Sequence, residues 1–543
     1  SYPARSETLA CQYAPCAGTG RSHDWPRSVS RPSVGPHRAD VESNPMMYGR
    51  EKSDPLIVAA KSANKPANGG AESMEPRQGA EGNTGQQRTR RTQSRISVSQ
   101  RLDRVRRVAK DRKKEKLTAL LHHLDTELLY TSFYWLKKNA AVGADGVSWA
   151  EYEENLETNL VGLHRRIHGS AYRAQPSRRK YIPKSDGRQR PLGIASLEDK
   201  IVQRALVEVL NAVYEQEFEG FSYGFRPGRG QHDALDALAV GITRNKVSWI
   251  LDADISKFFD TVDHSWLIRF VEHRIGDPRV IRLITKWLQA GYMEDGALMP
   301  TEEGTPQGAV ISPLLANIYL HYVFDLWAHQ WRERHARGPV TLVRYADDIA
   351  VGFCLSDDAI RFQAALRERL EKFGLKLHLD KTRLIEFGRF AASDRKSRGL
   401  GKPETFDFLG FTHICGRTRL RGAFQLRRKS RKDRMREKLR EIKEKLSRRR
   451  HLSIPEQGGW LHKVVRGYFA YHAVPTNGRS LCAFRDQVTW LWLRTLRSRS
   501  QRDKTTWYRM NIIAKAWLPR IKITHPWPDA RFFAKYPRWE PGA

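Results

Sequence analysis

Residues 342–353, with the sequence LVRYADDIAVGF, decide the fold because two apolar runs flank a pair of aspartates. Short apolar runs bounded by turn residues are typical of buried β-strands. We therefore predict a β-hairpin that carries Asp347 and Asp348 at its turn. Residues 247–255 (VSWILDADI) form a second short apolar run that opens onto acids, and another buried strand is predicted there.

Helical spacing alternates with these strand-like pieces between residues 117 and 425. Residues 201–214 (IVQRALVEVLNAVY) and residues 360–373 repeat their apolar side chains every three to four positions, as helices with one buried face do. Helices and strands mixed along the chain in this way predict an α+β fold.

The composition changes after residue 426. Residues 427–450 hold 14 basic and 4 acidic side chains, and aromatic-rich apolar stretches follow at 460–471 and 484–496. Breaks at Pro455 and at 475–478 (PTNG) separate three helical pieces, which predicts a small helical bundle.

The charge of the whole chain indicates its partner. Lys and Arg total 95 against 60 Asp and Glu, so the 543-residue chain has a formal net charge of +35. A surplus that large makes a polyanion the expected partner, and nucleic acid is the commonest polyanion. No apolar run approaches the length of about 18 residues that a membrane span needs, so no membrane partner is expected.

The cysteines exclude two other classes of protein. There are five in the chain, scattered and without a CxxC pair. This pattern argues against a disulfide framework and against a structural zinc site, and a reducing cytoplasm is the expected compartment.

The N-terminal region divides into two parts. Residues 1–95 are rich in Pro, Gly, Ser and Asn without an apolar period, which predicts a disordered extension. We interpret its start as an extended reading frame ahead of Met46 or Met47, in preference to a transit peptide. Residues 88–116 then hold 13 basic side chains and predict a basic arm that lies on phosphates, with a solvated helix face as the alternative. The apolar stripe of this arm is Val98, Leu102, Val105 and Val108.

Carboxylates at strand ends suit phosphoryl transfer assisted by two Mg²⁺ ions. Two ions about 3.5–4 Å apart stabilise both the attacking and the leaving oxygen. Acids on a rigid sheet hold such ions better than acids on loops. A Tyr-x-Asp-Asp string alone is a weak signal, because a solvated turn can have the same letters, so its context has to decide.

Five stretches give that context. They are DISKFFD at 254–260, GTPQG at 304–308 followed by ISPLLAN at 311–317, YADD at 345–348, GLKL at 374–377 with DKT at 380–382, and FLGF at 408–411. Upstream stand IPKSDGRQRPLG at 182–193, YGFRP at 223–227 and ADG at 144–146. In this order and spacing, over about residues 115–500, the chain resembles the reverse transcriptases encoded by group II introns, the intron maturases.

The resemblance implies a right-hand polymerase, with fingers and a palm built on an antiparallel sheet, followed by an α-helical thumb or maturase domain. The implied division is a disordered extension (1–95), a basic N-terminal helix with the fingers (96–250), the palm (251–425), the thumb or maturase domain (426–500) and a short basic, DNA-binding-like tail (501–543).

The resemblance also implies a metal site. Asp254 and Asp347 are the expected ligands of two Mg²⁺ ions, with Mn²⁺ as a possible substitute. The Ile255 carbonyl is the expected backbone ligand, and Asp348 completes the acidic turn as a catalytic residue and a less direct ligand. Asp252 precedes Asp254 by two residues and therefore shares its strand face, where it would support the site.

Nucleotide-binding residues follow from the same resemblance. Phe259 would pack under the incoming sugar and exclude a 2′-hydroxyl, the alternative being a plain core residue. Gln307 would reach the nascent base pair, and Lys184 and Arg190 would bind triphosphate oxygens. Lys381 would protonate pyrophosphate, unless it is only a helix-end lysine. The expected primer grip is Phe408, Leu409 and Gly410.

The stretch at 460–471 resembles the maturase thumb. Lys463 and Arg466 are expected to contact RNA phosphates, and Tyr468 is expected to stack on RNA. The alternative is that the aromatic residues Trp460, Tyr468 and Trp490 form the core of the bundle. Trp460, Val464 and Tyr468 follow one another every four residues and so share one face of their helix.

These observations predict an RNA-directed DNA polymerase that uses dNTPs, a DNA target and an RNA/DNA hybrid, and that also binds its parent group II intron RNA to assist splicing. Because no paired cysteines follow residue 500, we expect no HNH endonuclease domain and expect target-primed mobility from an existing DNA 3′ end. The expected setting is a bacterial, cytoplasmic ribonucleoprotein at the nucleoid. The alternatives are a domesticated or defence-linked reverse transcriptase and a non-enzymatic splicing factor.

Overall fold

A computed structural model describes residues 84–183, 189–500 and 503–537, except for the side chains of residues 84–96 and Pro183. The predictions for residues 1–83 and for Lys184 lie outside the described residues.

Helices account for most of the described chain. In order they are α1 (Thr84–Asp111), α2 (Thr126–Trp135), α3 (Trp149–Glu154), α4 (Leu156–His168), α5 (Leu197–Tyr214), α6 (Gln231–Arg244), α7 (His264–Arg274), α8 (Pro278–Gln289), α9 (Ser312–Leu320), α10 (Leu326–Arg334), α11 (Ser356–Glu371), α12 (Ala391–Ser397), α13 (Lys432–Arg448), α14 (Ile454–His472), α15 (Gly478–Arg497), α16 (Trp507–Trp517) and α17 (Pro528–Lys535). A 3-10 turn at Phe258–Asp260 and a π-helical turn at His321–Asp325 interrupt the regular elements.

The strands are β1 (Ser177–Pro183), β2 (Gln189–Ile194), β3 (Trp249–Asp254), β4 (Tyr292–Glu294), β5 (Ala297–Met299), β6 (Val340–Tyr345), β7 (Asp348–Phe353), β8 (Arg383–Glu386), β9 (Phe406–Phe408), β10 (Phe411–Arg417) and β11 (Phe424–Ser430). They form three sheets with the orders β2-β1-β4-β5, β6-β7-β3-β8 and β11-β10-β9. The chain is thus a mixed α and β fold, as the sequence predicts.

The central sheet confirms the predicted hairpin. β6 and β7 pair antiparallel up to Tyr345 and Asp348, and β7 pairs with β3 so that Asp348 lies opposite Asp254. One face of the sheet, with Leu251 and Val351, belongs to the largest hydrophobic core, together with α11. The opposite face carries Ile250 in a second core under α6. The acids share this second face, because side chains alternate along a strand.

Helix α1 begins at Thr84, so the predicted disorder does not hold for residues 84–95. Val98, Leu102 and Val105 are buried as predicted, but Val108 is 42% exposed and Ala109 is the buried residue instead. The prediction for Val108 was wrong by one position, because a helix of 3.6 residues per turn continues a 98, 102, 105 stripe equally well at 108 or 109.

The C-terminal helices α13–α16 share one hydrophobic core. The buried side of α14 is Leu461, Val465 and Phe469, one position beyond the predicted Trp460, Val464 and Tyr468, which only pack against its edge. Helix α16 completes this core, and α17 packs instead on α6. The packing of these last two helices was not predicted.

None of the helices in the described ranges combines the length and the apolar character that crossing a membrane requires.

Candidate active site

Three aspartates lie together where the central hairpin turns. Asp254 ends β3 directly opposite Asp348, the first residue of β7, and Asp347 precedes it in the turn. The turn consists of Ala346 and Asp347, and Ala346 has a φ of +56°. A two-residue turn with a positive φ matches the twist of paired strands, which is why this tight connection forms here. The structure therefore brings together the three predicted carboxylates from two distant stretches of chain.

The carboxylates crowd one another electrostatically. Asp348 is reached by solvent at its edge, yet surrounding protein removes much of its water, and this loss together with the charges of Asp347 and Asp254 raises its pKa to about 7. Burial likewise raises the pKa of Asp252 to about 7, with contributions from Asp348, Asp407 and Asp254. Burial and the nearby Asp254 raise the pKa of Asp347. The site accumulates more negative charge than its own cations balance.

Lys381 is the nearest cation to the carboxylates. Its Nζ lies 2.5 Å from Oδ2 of Asp254. The backbone aligns this contact, since the His378 N–H donates to the Asp254 carbonyl at 2.8 Å and Ile255 forms an isolated antiparallel bridge with Leu377. The prediction that Lys381 acts on pyrophosphate stays untested, and the structure places it as a counter-ion of Asp254.

The residues around Asp254 and Asp347 fit magnesium by their chemistry. Mg²⁺ takes oxygen ligands, and it is usually held by one or two carboxylates together with substrate phosphates rather than by a complete protein cage. The described residues hold no group of three or more His, Cys, Asp or Glu side chains arranged for a metal ion. Two carboxylates in a site with excess negative charge are the oxygen donors such an ion requires.

The predicted nucleotide-binding residues Phe259 and Gln307 lie in adjoining loops. Phe259 is half-buried in the 3-10 turn, and its carbonyl accepts a hydrogen bond from the Thr305 N–H at 2.7 Å. Gln307 Nε2 donates to Oδ1 of Asp260 at 2.7 Å. Gly304 has a φ of +84°, and a Cβ there would lie 2.9 Å from the Phe259 carbonyl oxygen, so glycine permits the contact. These contacts fix the backbone of Phe259, and its half-buried ring packs against Phe258 with centroids 5.4 Å apart.

Strand β2 joins this loop to the sheet that contains Arg190. The Gly193 N–H donates to the Gln307 carbonyl at 2.6 Å. Arg190 is exposed and near enough to Asp347 for its charge to lower the pKa of that carboxyl, against the larger effect of burial. Of the two predicted triphosphate ligands, the structure thus places Arg190 beside the aspartates.

The predicted primer grip is a turn held from the C-terminal helices. Phe408 is buried, while Leu409 and Gly410 have positive φ angles and form the connection between β9 and β10. The Tyr471 hydroxyl on α14 donates to the Leu409 carbonyl at 2.7 Å, and the Arg431 N–H donates to the Gly410 carbonyl at 3.1 Å. Tyr471 was missed at the sequence level, because an aromatic residue on a helix gives no sign of a backbone partner 62 residues away.

Arg344 is the main functional residue that sequence reasoning missed. Its guanidinium is fully buried and forms a fork with Asp325, donating from Nε at 2.7 Å and from Nη2 at 2.6 Å. Nη2 also donates to Ser222 Oγ at 2.7 Å, and Nη1 donates to Asn317 Oδ1 and to the Ala346 carbonyl, both at 3.0 Å. One side chain therefore fastens the acidic turn to two other segments of the chain.

Gly224 supports the same turn from the opposite side. A Cβ at this position would lie 2.3 Å from the Ala346 nitrogen, a distance that two atoms cannot occupy without movement. The Gly224 carbonyl accepts from Asn317 Nδ2 at 2.7 Å, which connects it to the arginine cluster. The sequence did contain a sign that Arg344 has buried partners, because this arginine interrupts an apolar strand and a buried charge requires a partner.

The predicted RNA-binding residues on α14 divide into two kinds. Lys463 and Arg466 are exposed. The Tyr468 ring stacks on Phe484, with centroids 3.7 Å apart and planes 10° apart. One face of Tyr468 is therefore already covered, and the two basic side chains offer the accessible charge.

Comparison with known proteins agrees with this geometry. The family model described as "Reverse transcriptase (RNA-dependent DNA polymerase)" matches residues 182–413. This range begins on β1 and ends on β10, so it contains the acidic hairpin, the Gln307 loop and the primer-grip turn. The fold and the site define a reverse transcriptase domain, with the right-hand polymerase fold that such a domain implies.

Individual relatives narrow the assignment. The chain is 36% identical over 275 residues to Protein YkfC of Escherichia coli. The matched region covers 45% of this chain and 71% of that protein. It is 35% identical over 222 residues to the Group II intron-encoded protein LtrA of Lactococcus lactis, covering 40% of this chain and 37% of LtrA. A shorter match, 30% identical over 131 residues, is to Nuclear intron maturase 4, mitochondrial, of Arabidopsis thaliana, with 24% of this chain and 16% of that protein covered.

The chain belongs to the family of group II intron reverse transcriptases and maturases. It spans well under half the length of LtrA, so the activities and partners of the whole protein are matters of proposal.

Proposed function

We propose that this protein is an RNA-directed DNA polymerase that extends a DNA primer along an RNA template with dNTPs. The observation that carries the proposal is the cross-strand placement of Asp254 opposite Asp348, with Asp347 at the adjoining turn. Asp254, Asp347 and the Ile255 carbonyl would hold two Mg²⁺ ions, which supply charge stabilisation for the attacking 3′ oxygen and the leaving pyrophosphate. Mn²⁺ would be accepted by the same oxygen donors.

The side chains around the carboxylates have separate tasks in this proposal. Arg190 orients the triphosphate through its guanidinium fork, together with Lys184. Gln307 lies against the nascent base pair. Lys381 neutralises Asp254 until the substrate arrives and then moves to the leaving pyrophosphate. The turn at Leu409 and Gly410 positions the primer end, since it is anchored to α14.

Phe259 would select deoxynucleotides, because its half-buried ring would occupy the space of a 2′-hydroxyl. The alternative role, simple core packing, predicts a loss of stability but no change of selectivity. Phe259→Val should raise the ratio of ribonucleotide to deoxynucleotide incorporation by about tenfold or more, a discrimination typical of steric contacts in a pocket. An unchanged ratio in steady-state kinetics would leave only the packing role.

The second proposed activity is binding of the parent group II intron RNA to assist its splicing. Helices α13–α15 would serve as the thumb and maturase domain, with Lys463 and Arg466 on RNA phosphates. Binding to the folded ribozyme stabilises that state by linkage, while the RNA performs the splicing chemistry. The name of the Arabidopsis relative supports this proposal. We also propose that the protein supports mobility of the intron by target-primed reverse transcription without an endonuclease. It would do so as part of a cytoplasmic ribonucleoprotein at the nucleoid.

The test is primer extension on poly(rA)/oligo(dT) with Asp347→Ala/Asp348→Ala. Removal of Asp347, a proposed metal ligand, and of Asp348, which completes the acidic turn as a less direct ligand, should lower extension by at least about 10³-fold, equivalent to about 4 kcal/mol of transition-state stabilisation. Protein-assisted splicing of the parent intron should persist, because these acids belong to the central hairpin and the exposed basic residues proposed to bind RNA belong to α14.

The matched control is Glu368→Ala/Glu371→Ala, which removes two exposed carboxylates from α11. It should extend primers as the unmodified protein does. Full extension by the Asp347/Asp348 variant would overturn the polymerase assignment. Loss of both extension and splicing in a variant with an unchanged circular dichroism spectrum would show that the two activities are not separable.

A further inference from the structure

The hairpin of β10 and β11 carries a basic surface that none of the proposed roles uses. Its tip, residues 417–423 (RTRLRGA), exposes Arg417, Arg419 and Arg421, and Leu420 between them is 99% exposed. The tip therefore offers one apolar side chain between two cationic side chains, all of them accessible to a partner. We name residues 417–423 the arginine tip.

The hairpin is a rigid support for this tip. Seven registered residue pairs join β10 to β11, from Phe411 and Ser430 at the base to Arg417 and Phe424 at the end. The Thr418 N–H donates to the Ala423 carbonyl at 2.8 Å and closes the loop. Paired strands rise about 3.4 Å per residue, so the tip lies about 20 Å from the turn at Leu409 and Gly410.

One face of the hairpin continues from the active site. Thr412 lies opposite both Asp407 and Lys429, and its hydroxyl donates to Asp407 at 2.6 Å, so these three side chains share a face. Asp407 lies close enough to Asp252 for its charge to raise the pKa of that carboxyl. Arg431 contacts Asp407 at 3.4 Å, and its positive charge lowers the pKa of Asp348 against the larger effect of burial. The face that begins beside the carboxylates is thus the face that bears Lys429.

Arg427 extends this face toward the tip. It lies two residues from Lys429 and opposite Ile414, and therefore on the same side of the hairpin. Its side chain lies flat across Gly416, where a Cβ would come within 2.5 Å of Nε, and Nη2 donates to the Arg417 carbonyl at 2.6 Å. A row of cations consequently runs from the edge of the active site to the arginine tip.

We infer that this outer face of the hairpin is a track for the RNA/DNA duplex that leaves the active site, with the arginine tip in its minor groove. Arginines paired with an apolar wedge are the chemistry by which proteins enter a minor groove. An RNA-containing helix offers a wide, shallow groove of this kind. At about 3.4 Å per base pair, the 20 Å span places the tip about six base pairs behind the primer end. The inference rests on the proposed polymerase function.

The experiment measures binding of the full chain to RNA/DNA duplexes of 5 and 12 base pairs by fluorescence anisotropy. The unmodified protein should bind the longer duplex more tightly. Arg419→Ala/Arg421→Ala should weaken binding to the 12-base-pair duplex about tenfold. The slope of log K against log salt should become shallower by the equivalent of about two phosphate contacts. Binding to the 5-base-pair duplex should not change. Leu420→Ala should weaken only the longer duplex without changing the salt dependence.

The control is Arg334→Ala/Arg367→Ala, which removes two exposed arginines from α10 and α11 and has the same effect on net charge. Equal losses in this control, or equal losses on both duplexes, would overturn the inference. A loss confined to folded intron RNA would overturn it too and would assign the tip to that RNA. If the unmodified protein extends no primer, the proposed function fails; if it extends primers but the tip variants bind normally, only this inference fails.

Discussion

Two hairpin turns of this chain hold their charged side chains in opposite ways. The turn at Ala346 and Asp347 is enclosed by the buried Arg344 and by Gly224. The arginine tip of β10 and β11 has almost no protein around it. Metal ligands have to be placed to within a fraction of an ångström, whereas a phosphate contact tolerates movement of a long side chain. The difference teaches that the degree of enclosure by surrounding protein separates the turn proposed for catalysis from the turn proposed for binding.

The enclosure includes a helical irregularity. The π-helical turn His321–Asp325 inserts one residue into the helical path between α9 and α10, and its last residue, Asp325, meets Arg344. Turns of this type are often found at functional sites. Here the irregular turn places the fully buried carboxylate of Asp325 against the fully buried guanidinium of Arg344. Neither charge would be stable in the protein interior without the other.

The largest effect is expected from Arg344→Met. Loss of the arginine leaves Asp325 buried without its partner, which should lower the free energy of unfolding by about 3–5 kcal/mol. It also frees the Ala346 carbonyl, so kcat per folded molecule should fall by about 10²-fold while the KM for template-primer changes little. Chemical denaturation and primer-extension kinetics measure the two effects. Arg344→Lys should recover part of the stability but not the fork geometry.

Two comparisons separate positioning from stability. Arg274 is another buried arginine, paired with Glu217 at 3.2 Å, and it also donates to backbone carbonyls at the end of α1 and in the segment just after it, not to the acidic turn. Arg274→Met should therefore cost similar stability but leave kcat unchanged. Arg344→Met/Asp325→Leu should regain stability without regaining kcat. If the double variant recovers both, Arg344 only stabilises the fold.

The sequence predicted the reactive turn well for physical reasons. The two strands and their acids follow from apolar runs that end on carboxylates, and the register that places Asp254 opposite Asp348 confirms that prediction. Such patterns are local, since side-chain alternation depends only on neighbouring residues. The partners of Arg344 come from segments up to 122 residues away, and no local pattern reveals them.

The helical regions show where local patterns mislead. The predicted stripe of α1 was wrong by one position at Val108 alone, whereas the stripe of α14 missed the buried side by one position throughout, because 3.6 residues per turn leaves adjacent positions almost equivalent. The tertiary partner decides between them. The packing of α17 on α6 depends similarly on Asp236, which pairs with Arg531 at 3.1 Å across most of the chain.

A smaller effect is expected from Gly224→Ala, which tests the enclosure from its other side. The new Cβ would overlap the Ala346 nitrogen, so the turn must shift, and kcat should fall by about tenfold to 10²-fold with a stability cost of about 1–3 kcal/mol. Gly220→Ala is the matched control, because a Cβ there meets no atom within 4 Å. Equal kinetics of the two variants would mean that the turn does not need this support.

The smallest effect is expected on α14, whose charges are exposed like those of the arginine tip. Lys463→Ala/Arg466→Ala should weaken binding of the intron RNA by about threefold to tenfold. The slope of log K against log salt should become shallower by the equivalent of about one to two phosphate contacts, each of which contributes about 0.7 to the slope on a single strand. Free energy of unfolding should stay within about 0.5 kcal/mol, as is usual for surface changes. Tyr468→Phe should bind RNA normally, since the ring already stacks on Phe484. Filter binding across a salt series measures both variants. A Tyr468→Phe defect as large as that of the double variant would show that the tyrosine hydroxyl, rather than exposed charge, makes the contact.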